Sequence, residues 1–210
     1  MNTEEIFSRY PILEPMQEVL GAAFALLKTA AEQRRLIMVA GNGGSCSDAE
    51  HIVGELMKSF VSKRPLSKVM VAQLIATDAE RGAYIASHLE EAFPAICLSS
   101  HTALSTAFSN DVDASLVYAQ QVIGYGKPKD VFWGLSTSGN AKNVVNAAIA
   151  AKAKGMHVLG MTGAEGGLLK QYCDVCLCVP ERQTYKVQEL HLPLYHWLCM
   201  QIEASCFPGV

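Results

Sequence analysis

The residues best suited to acid–base and metal chemistry stand in two short stretches far apart in the chain. In the first, His51 and Glu55 are four positions apart in a segment of helical character, so their side chains share one helix face about one turn apart. An imidazole nitrogen and a carboxylate oxygen at this spacing can bind a divalent metal such as zinc, although the same spacing occurs in ordinary surface pairs. The second stretch, VQELHLPLYHW, adds Gln188, His191 and His196 as further donors.

The spacing within the second stretch restricts how these donors can meet. Gln188 and His196 differ by a rise of about 12 Å if both lie in one regular helix. Pro193 is tolerated in the first turn of a helix, which would place Gln188 in an irregular or preceding segment. Otherwise the two residues belong to different sites, or a neighbouring subunit supplies one of them. The sequence leaves these alternatives open.

A glycine-rich turn just before His51 has the features of an anion site. The stretch GNGGS (41–45) follows the apolar run RLIMVA and opens a helical pattern, where backbone N–H groups lack intrahelical partners and the helix dipole is positive. Gly43 and Gly44 allow a tight turn and a close approach of substrate oxygens, and Ser45 follows them. Cys46 stands where a dinucleotide fingerprint needs its last glycine, and the Gly-Lys-Ser/Thr ending of a Walker loop is absent.

A second turn, LSTSGN (135–140), also leaves an apolar run and opens a helical segment. Ser136, Thr137 and Ser138 place three hydroxyl groups beside the free amides of that helix start. Convergent hydroxyl and N–H donors suit a phosphate monoester. The alternative is N-capping, which needs one serine or threonine rather than three. We therefore expect a phosphate site built from neutral donors and a helix dipole.

The elements that must position these residues alternate between apolar runs and helical patterns. Near-continuous apolar strands alternating with helices predict an α/β fold with a parallel sheet covered on both faces, and such sheets bind ligands at the carboxyl ends of their strands. Helices are predicted at 16–33, 141–155 and from about 187 to 206, and apolar runs at 35–41, 68–76, 94–100, 130–136, 157–163 and 175–180.

Composition narrows the classes of function. The chain has 210 residues, enough for one well-buried domain, and its formal net charge of −3 gives no general attraction to nucleic acid or to an anionic membrane. The N-terminus lacks the apolar core of a signal peptide, and no apolar run is long enough to span a membrane. Seven cysteines without an export signal predict reduced thiols in the cytoplasm. The cluster of Cys173, Cys176 and Cys178 lacks the second CxxC pair of a metal or redox motif, and Cys176 and Cys178 fit an apolar strand.

Five motifs in order resemble the sugar isomerase (SIS) family, and within it the bacterial phosphoheptose isomerases. They are GNGGSCSDAEHIVGEL, FSND (108–111), STSGN, MTGAEGG (161–167), and VQELH with a later histidine, and they span nearly the whole chain. The resemblance implies a single SIS domain over residues 1–210, with a flavodoxin-like parallel sheet flanked by helices and an N-terminal helix. It also implies a homotetramer with active sites between subunits, and isomerisation of sedoheptulose 7-phosphate to a heptose 7-phosphate.

The resemblance also assigns roles to matching positions. Glu55 and His196 correspond to the acid/base pair. The implied zinc ligands are His51, Glu55, Gln188 and His196, and the implied substrate-binding residues are Asn42, Gly43, Gly44, Ser45, Asp111, Ser136, Thr137, Ser138 and Gln188. This set suits the chemistry, because moving a proton between adjacent carbons through an enediol needs a base, an acid and a group that polarises the carbonyl.

The chain departs from the family pattern at several positions. Ala141, Ser59 and Tyr185 replace a serine, an arginine and an aspartate expected there. About 25 residues, at roughly 66–93, are an insertion that we expect beside the glycine turn, where it would cap the pocket or alter a subunit contact. These departures bear on which sugar phosphate is bound more than on the class of reaction.

Two non-catalytic alternatives remain from the same family. One is the branch that binds the bacterial replication initiator, which has lost the glutamate and the final histidine matched here by Glu55 and His196. The other is a phosphosugar sensor, which normally adds a helix-turn-helix domain for which this chain has no room. Retention of both residues favours an enzyme whose partner is a small sugar phosphate, without a nucleic-acid or membrane partner.

Overall fold

The computed structural model describes residues 3–208, which form nine α-helices and five strands. The strands are β1 (Ile37–Ala40), β2 (Ala95–Cys97), β3 (Val131–Leu135), β4 (His157–Thr162) and β5 (Val175–Cys178). The helices are α1 (Thr3–Arg9), α2 (Gln17–Glu32), α3 (Gly44–Met57), α4 (Lys68–Thr77), α5 (Ala79–His88), α6 (Thr102–Phe108), α7 (Val117–Tyr125), α8 (Lys142–Ala153) and α9 (Thr184–Cys206).

The five strands form one parallel sheet in the order β2-β1-β3-β4-β5. Ile37 of β1 is paired with Ala95 of β2 on one side and with Val131 of β3 on the other, and Val131 is paired in turn with His157 of β4. This is the flavodoxin-like order, with its topological switch point between β1 and β3. The predicted α/β fold is confirmed.

Both faces of the sheet are covered, which explains the apolar runs. Val39 and Trp133 belong to the cluster packed under α2, α3 and α9, whereas Met38 and Phe132 belong to the cluster under α7 and α8. Side chains alternate between faces along a strand, so a strand buried on both faces is apolar at every position. All residues of β1 and β3 are buried.

The apolar run at 68–76 is not a strand, contrary to prediction. It forms α4, which begins where the Ser67 hydroxyl accepts a hydrogen bond from the Met70 N–H. None of the residues of α4 is buried, and Val69 keeps 67% of its surface exposed. The prediction fails because a short apolar run has the same appearance in a buried strand and in a helix.

Helices α4 and α5 form a hairpin over the segment predicted to be an insertion. The base of the hairpin is closed by a bridge between Pro65 and Glu90, at the C-terminal end of α3. The glycine turn lies at the other end of α3, and a helix of 14 residues is about 20 Å long. The base of the hairpin is therefore separated from the glycine turn by the length of α3, and no residue of α4 or α5 lines the cavity at that turn, contrary to the expected position.

The longest helix, α9, has 23 residues and contains Pro193 in its interior. Gln188 and His196 are thus in one continuous helix, and the irregular segment considered from the sequence is not formed. The polar and charged side chains along α9 agree with the finding that none of the helices in residues 3–208 has the length and apolarity to cross a membrane.

A buried ion pair joins α9 to the segment that follows α3. The Glu203 carboxylate accepts hydrogen bonds from the Arg64 Nε and from the backbone N–H groups of Phe60, Val61 and Ser62, all at 2.8–2.9 Å. Arg64 is fully buried and Glu203 is 1% exposed. Burial acts to raise the pKa of Glu203, but these hydrogen bonds outweigh it and hold the pKa below its usual value.

The same arginine ends α3. Its two terminal nitrogens donate to the carbonyl oxygens of Glu55 and Leu56, each at 2.8 Å, which satisfies two carbonyls of the last helical turn. The guanidinium plane lies over the Phe93 ring at 4.7 Å. Each of the three guanidinium nitrogens therefore makes a hydrogen bond, and two of them fix the end of the helix that carries His51.

We expect Glu203→Gln to lower the free energy of unfolding by about 3–5 kcal/mol at neutral pH, because it leaves the Arg64 charge buried without its partner. Urea denaturation followed by circular dichroism measures this change. Glu165→Gln is the control, because it breaks the exposed pair between Glu165 and Arg182 and is expected to change little. Equal effects of the two substitutions would contradict the importance of the buried pair.

The turn between β1 and α3 imposes a steric requirement on Gly41. A Cβ atom at this position would lie 2.3 Å from the carbonyl oxygen of Ser45, a backbone atom that cannot move aside cheaply. Gly43, at φ +56°, occupies the left-handed region that favours glycine. The glycines of GNGGS are therefore needed for the turn itself.

For Gly41→Ala we predict a loss of about 1–3 kcal/mol of stability through this overlap. Gly21→Ala is a matched substitution in an exposed helical position with nothing within 4 Å of the added methyl group, and it is expected to stabilise by about 0.5–1 kcal/mol. Thermal denaturation of both variants gives the comparison. A stable Gly41→Ala protein would show that the turn relaxes more easily than the geometry indicates.

Candidate active site

A cavity of about 260 Å³ lies at the carboxyl ends of β1 and β3, the switch point of the sheet. Both turns singled out from the sequence meet there, because GNGGS follows β1 and LSTSGN follows β3. Its lining residues are Asn42, Gly43, Gly44, Ser45, Leu135, Ser136, Thr137, Ser138, Ala141, Thr184 and Gln188.

The cavity presents neutral hydrogen-bond donors. The Ser136 hydroxyl oxygen accepts from the Ala141 N–H at 3.4 Å, and the Ser138 hydroxyl oxygen accepts from the Asn140 N–H at 3.1 Å. Both hydroxyl protons therefore stay free to be donated to a ligand. Helix α8 has Ala141 at its N-cap, with no side-chain capping bond, so N-capping does not account for the three hydroxyl residues. Among residues 3–208, no lysine or arginine lines the cavity.

Two residues that the sequence reasoning missed hold Asn42 in place. The amide groups of Asn42 and Asn143 form a reciprocal pair of hydrogen bonds, each 2.9 Å long. The Tyr118 hydroxyl donates to the Gly41 carbonyl at 2.8 Å, and burial raises the pKa of Tyr118 to about 12. These contacts join residues 77 to 101 positions apart, and no local sequence signal marks them.

Two predicted residues differ in their relation to the cavity. Gln188 lies against the glycine turn, because a Cβ atom on Gly44 would be 2.4 Å from its Nε2. Asp111 lies in a π-helical turn at Ser109–Asp113, is exposed, and is not among the residues that line the cavity. The role of Asp111 in substrate binding stays a prediction.

A second group of candidate functional residues lies further along the same two helices. His51 Nε2 is 3.2 Å from Glu55 Oε1, and the ring centroids of His51 and His196 are 5.0 Å apart. Gly44 and His51 on α3 contact Gln188 and His196 on α9 in the same order, so the two helices run in the same direction. The predicted acid/base and metal residues are thus brought together, except for Gln188, which remains at the anion cavity.

The environment of this cluster keeps His196 neutral. Burial lowers its pKa below the ordinary value, the nearby His51 lowers it further, and Glu55 opposes the shift. His196 is half-buried, and among residues 3–208 its Nε2 has no hydrogen-bond partner. A neutral imidazole with a free nitrogen can take up and release a proton near neutral pH.

The donor chemistry of the cluster agrees with zinc only in part. Two imidazoles and a carboxylate are ligands that zinc accepts, and Glu55 Oε2 and His196 Nε2 are both buried without a hydrogen-bond partner. Within residues 3–208, however, no three histidine, cysteine, aspartate or glutamate side chains are arranged to hold a metal ion. A single chain therefore brings together suitable donors without completing a site.

Asp48 and Tyr195 also contact the cluster, although the sequence reasoning gave them no role. The Tyr195 hydroxyl lies 3.1 Å from His51 Nδ1 and donates to Asp48 Oδ1 at 3.2 Å. Asp48 stands three residues before His51, on the same helix face, and Tyr195 stands next to His196. Helical spacing could have found the first, whereas the second required the packing of α9 on α3.

The three positions that depart from the family pattern lie in different parts of the structure. The Ser59 N–H donates to Glu90 Oε2 at 2.9 Å, which ties the loop after α3 to the base of the hairpin. Ala141 lines the anion cavity. Tyr185 lies in the first turn of α9 and is 58% exposed.

The cysteines near the C-terminal end of the sheet are structural. Cys176 and Cys178 belong to β5, as the strand interpretation predicted, and the cysteines of residues 3–208 are free thiols. A hydrogen bond with Cys173, together with burial, raises the pKa of Cys176 to about 12. A thiol that stays protonated is a poor nucleophile and a poor metal ligand.

A larger cavity, of about 510 Å³, lies at the opposite edge of the sheet. Arg35, Lys129 and His157, which line it, stand at the amino ends of β1, β3 and β4. Parallel sheets bind ligands at the carboxyl ends of their strands, and the larger cavity is distant from the His51 cluster. The smaller cavity is therefore the better candidate for a substrate site.

Comparison with known proteins agrees with this geometry. The SIS domain model matches residues 89–163. A phosphoheptose isomerase of Synechocystis is 36% identical over 171 residues, covering 81% of this chain and 75% of the relative, and one of Burkholderia pseudomallei is 35% identical over 196 residues, covering 93% and 84%. The solved structure of a phosphoheptose isomerase from Neisseria gonorrhoeae is 29% identical, covers 96% of this chain and 94% of its own, and has a TM-score of 0.74. The chain belongs to the phosphoheptose isomerase family of SIS-domain proteins.

Proposed function

We propose that the protein interconverts sedoheptulose 7-phosphate and D-glycero-D-manno-heptose 7-phosphate through an enediol. The observation that carries this proposal is the placement of two complementary groups along α3 and α9. The anion cavity lies at the start of α3, where Gly44 contacts Gln188, and the His51 cluster lies further along both helices. A sugar with a phosphate at one end and a carbonyl at the other has the same two chemical requirements.

The separation of the two groups agrees with an extended substrate. Ser45 and His51 differ by six helical residues, a rise of about 9 Å, and Gln188 and His196 differ by about 12 Å. A phosphate held by the hydroxyl groups of Ser136 and Ser138 would leave the far end of a long sugar chain near the acid/base pair. Shorter sugar phosphates would reach the cluster less well.

The reaction needs two proton movements, and the chain has a group for each. Glu55 removes a proton from C1 of the ketose and returns a proton to C2, so that one C–H bond breaks and another forms. His196, neutral because its pKa is lowered, carries the proton that O1 loses and O2 gains. Glu55 is suited to the base role because its side chain is only 12% exposed, which limits its hydration.

A zinc ion is part of this proposal, with His51, Glu55 and His196 as ligands. When bound, it would polarise the substrate carbonyl. The buried His196 Nε2, which has no hydrogen-bond partner among residues 3–208, supports it, as does Glu55 Oε2, which makes no hydrogen bond and lies 3.6 Å from Lys58 Nζ. Because Gln188 of the same chain lies at the anion cavity, we propose that the enzyme is a cytoplasmic homotetramer in which a neighbouring subunit completes the ligand set.

The non-catalytic alternatives find less support. A protein that only binds a sugar phosphate or another protein has no need for a carboxylate and two histidines gathered at a distance from the anion cavity. The contact of Glu55 with His51, and of His51 with His196, is the arrangement that proton transfer requires. In a protein that only binds a ligand, the same arrangement would lower the stability of the fold without a benefit, because it leaves buried polar atoms without hydrogen bonds.

Glu55→Gln tests the base. We expect wild-type protein supplied with zinc to convert sedoheptulose 7-phosphate in D₂O into a product that carries solvent deuterium at C2, as seen by proton NMR. The variant should lose this exchange by about 100-fold or more, because the amide cannot accept the proton. Glu50→Gln, an exposed glutamate on the same helix, should retain wild-type activity.

Two other outcomes would each contradict a different part of the proposal. Absence of both exchange and product with wild-type protein, while zinc and substrate are shown to be bound, would refute the phosphoheptose assignment. Exchange that persists in Glu55→Gln would leave the isomerase assignment standing and transfer the base role to another residue.

Thr137→Val tests the phosphate site, because valine keeps the shape of threonine and removes its hydroxyl group. A hydrogen bond to a charged phosphate contributes about 1.5–3 kcal/mol, so the KM for the sugar phosphate should rise about 10- to 100-fold, with a smaller effect on kcat. Thr106→Val, in an exposed position of α6, is the matched control. An unchanged KM in Thr137→Val would show that the Thr137 hydroxyl does not bind the phosphate.

A further inference from the structure

Three basic side chains line the cavity of about 510 Å³ at the amino edge of the sheet. Arg35 and Lys129 each stand two residues before a strand, β1 and β3 respectively, and His157 is the first residue of β4. Strand β3 lies between β1 and β4, and neighbouring strands are about 4.8 Å apart, so the three side chains begin within about 10 Å of one another. The parallel register of the sheet thus gathers three basic residues that are far apart in the sequence.

The lining of this cavity has a net positive charge. Among the residues that the structure describes, no aspartate or glutamate lines it, and the guanidinium of Arg35 contacts only an uncharged amide oxygen, at 3.4 Å. Two carboxylates lie nearby, and both are already engaged. Asp130 accepts two backbone N–H groups, and Asp174 accepts from Lys152 at 2.6 Å while His157 Nδ1 is 3.9 Å away. The cations at the cavity are therefore available to an anionic ligand.

The turn that carries Arg35 has an unfavourable backbone conformation. Helix α2 ends in a Schellman motif, in which the Arg34 N–H donates to the Ala31 carbonyl at 3.0 Å and the Arg35 N–H donates to the Ala30 carbonyl at 2.8 Å. Arg34 has φ +51° and occupies the left-handed position of this motif, where glycine is the usual residue. The chain therefore places an arginine where glycine would be less strained.

The turn that carries Lys129 has the same property. The Asp130 N–H donates to the Lys127 carbonyl at 3.1 Å, with Pro128 at the second position and Lys129, at φ +72°, at the third. This is the pattern of a type II turn, whose third position favours glycine or asparagine. Arg34 and Lys129 are the non-glycine residues of 3–208 with positive φ. Such strain is typical of positions where the side chain has a function, and the side chain of Lys129 lines the cavity.

The size and the walls of the cavity indicate the class of ligand. Its volume is about 510 Å³, against about 260 Å³ for the anion cavity at the other edge of the sheet. Two cations and an imidazole spread over about 10 Å suit more charge than one phosphate carries. One wall is apolar, formed by Ala25, Leu26 and Ala30 of α2, and can pack against the organic part of a ligand.

We propose that this cavity is a second ligand site, which binds a metabolite carrying a diphosphate group through Lys129, Arg35 and His157. It is separate from the substrate cavity, because the two cavities open at opposite ends of the same strands. Binding at this site does not depend on the proposed isomerase activity.

The test is isothermal titration calorimetry of the full chain with inorganic pyrophosphate. About 0.15 M salt screens exposed charges that are more than about 8 Å apart, so that only direct contacts contribute strongly. We expect wild-type protein to bind pyrophosphate at least about 10-fold more tightly than orthophosphate. Lys129→Gly should weaken the binding of pyrophosphate about 10- to 100-fold, because a hydrogen bond between charged groups is lost. Its melting temperature should equal or exceed that of the wild type, since glycine relieves the positive φ.

Arg34→Gly is the matched control. It relieves the same kind of backbone strain and removes the same charge, but its side chain is 63% exposed, pairs with Glu91 at 3.3 Å, and does not line the cavity. We expect this variant to bind pyrophosphate as the wild type does. Thr137→Val, which alters the substrate cavity, should also keep wild-type affinity.

Three results would overturn the proposal. One is the absence of pyrophosphate binding to wild-type protein, and another is an equal loss of affinity in Lys129→Gly and Arg34→Gly, which would indicate a general effect of charge. The third is a loss in Thr137→Val with none in Lys129→Gly, which would assign the binding to the substrate cavity. Equal affinities for pyrophosphate and orthophosphate would refute the diphosphate class of ligand.

Discussion

The buried ion pair between Arg64 and Glu203 fixes the relation between α3 and α9, on which both parts of the candidate site depend. Arg64 satisfies the last carbonyls of α3, and Glu203 belongs to the final turns of α9. A buried charge pair is stabilising only when its remaining hydrogen-bonding groups are satisfied, and here three backbone N–H groups complete the carboxylate. The pair acts as a fixed point at one end of two helices whose other ends form the anion cavity.

The sheet fixes the other end of the site, where the two turns form the anion cavity. The two turns at the switch point can approach each other only because β1 and β3 are adjacent and parallel, so that both carboxyl ends open at one edge. Gly41 and Gly43 then allow α3 to start immediately above the sheet. The helix start, its dipole and the hydroxyl groups of the second turn converge on one cavity without any charged side chain.

The features that sequence could predict are those determined by local chemistry. Glycines at 41–45 and hydroxyl residues at 136–138 follow apolar runs, and each of these patterns specifies a turn at the end of a buried strand. His51 and Glu55 were predictable as a pair because helical periodicity alone places them together. The parallel sheet followed from the apolar runs, and only the run at 68–76 was misassigned, since its apolar residues lie on an exposed helix.

The features that sequence could not predict depend on how distant segments pack. Pro193 suggested a break between Gln188 and His196, but tertiary packing of α9 against the sheet tolerates the proline inside a continuous helix. As a result Gln188 and His196 serve different parts of the site. Tyr195 acquires its hydrogen bonds only when α9 lies beside α3, so its neighbour in sequence, His196, gives no indication of them.

The unpaired atoms of the cluster connect its structure with its chemistry. Burying a polar atom without a hydrogen bond costs about 1–3 kcal/mol, and Asp48 and His196 each have one such atom within a small region of the chain, while Glu55 Oε2 has only an ion pair with Lys58 at 3.6 Å. A core selected for stability alone would fill or pair these positions, as the carboxylate of Glu203 is paired. The chain leaves polar atoms without hydrogen bonds where α3 and α9 meet, whereas it satisfies the polar groups of the ion pair that holds the two helices in place. This difference between the cluster and the ion pair is expected at a site of proton transfer. The lone pairs of such a site must stay free, so the scaffold has to prevent them from forming hydrogen bonds with one another.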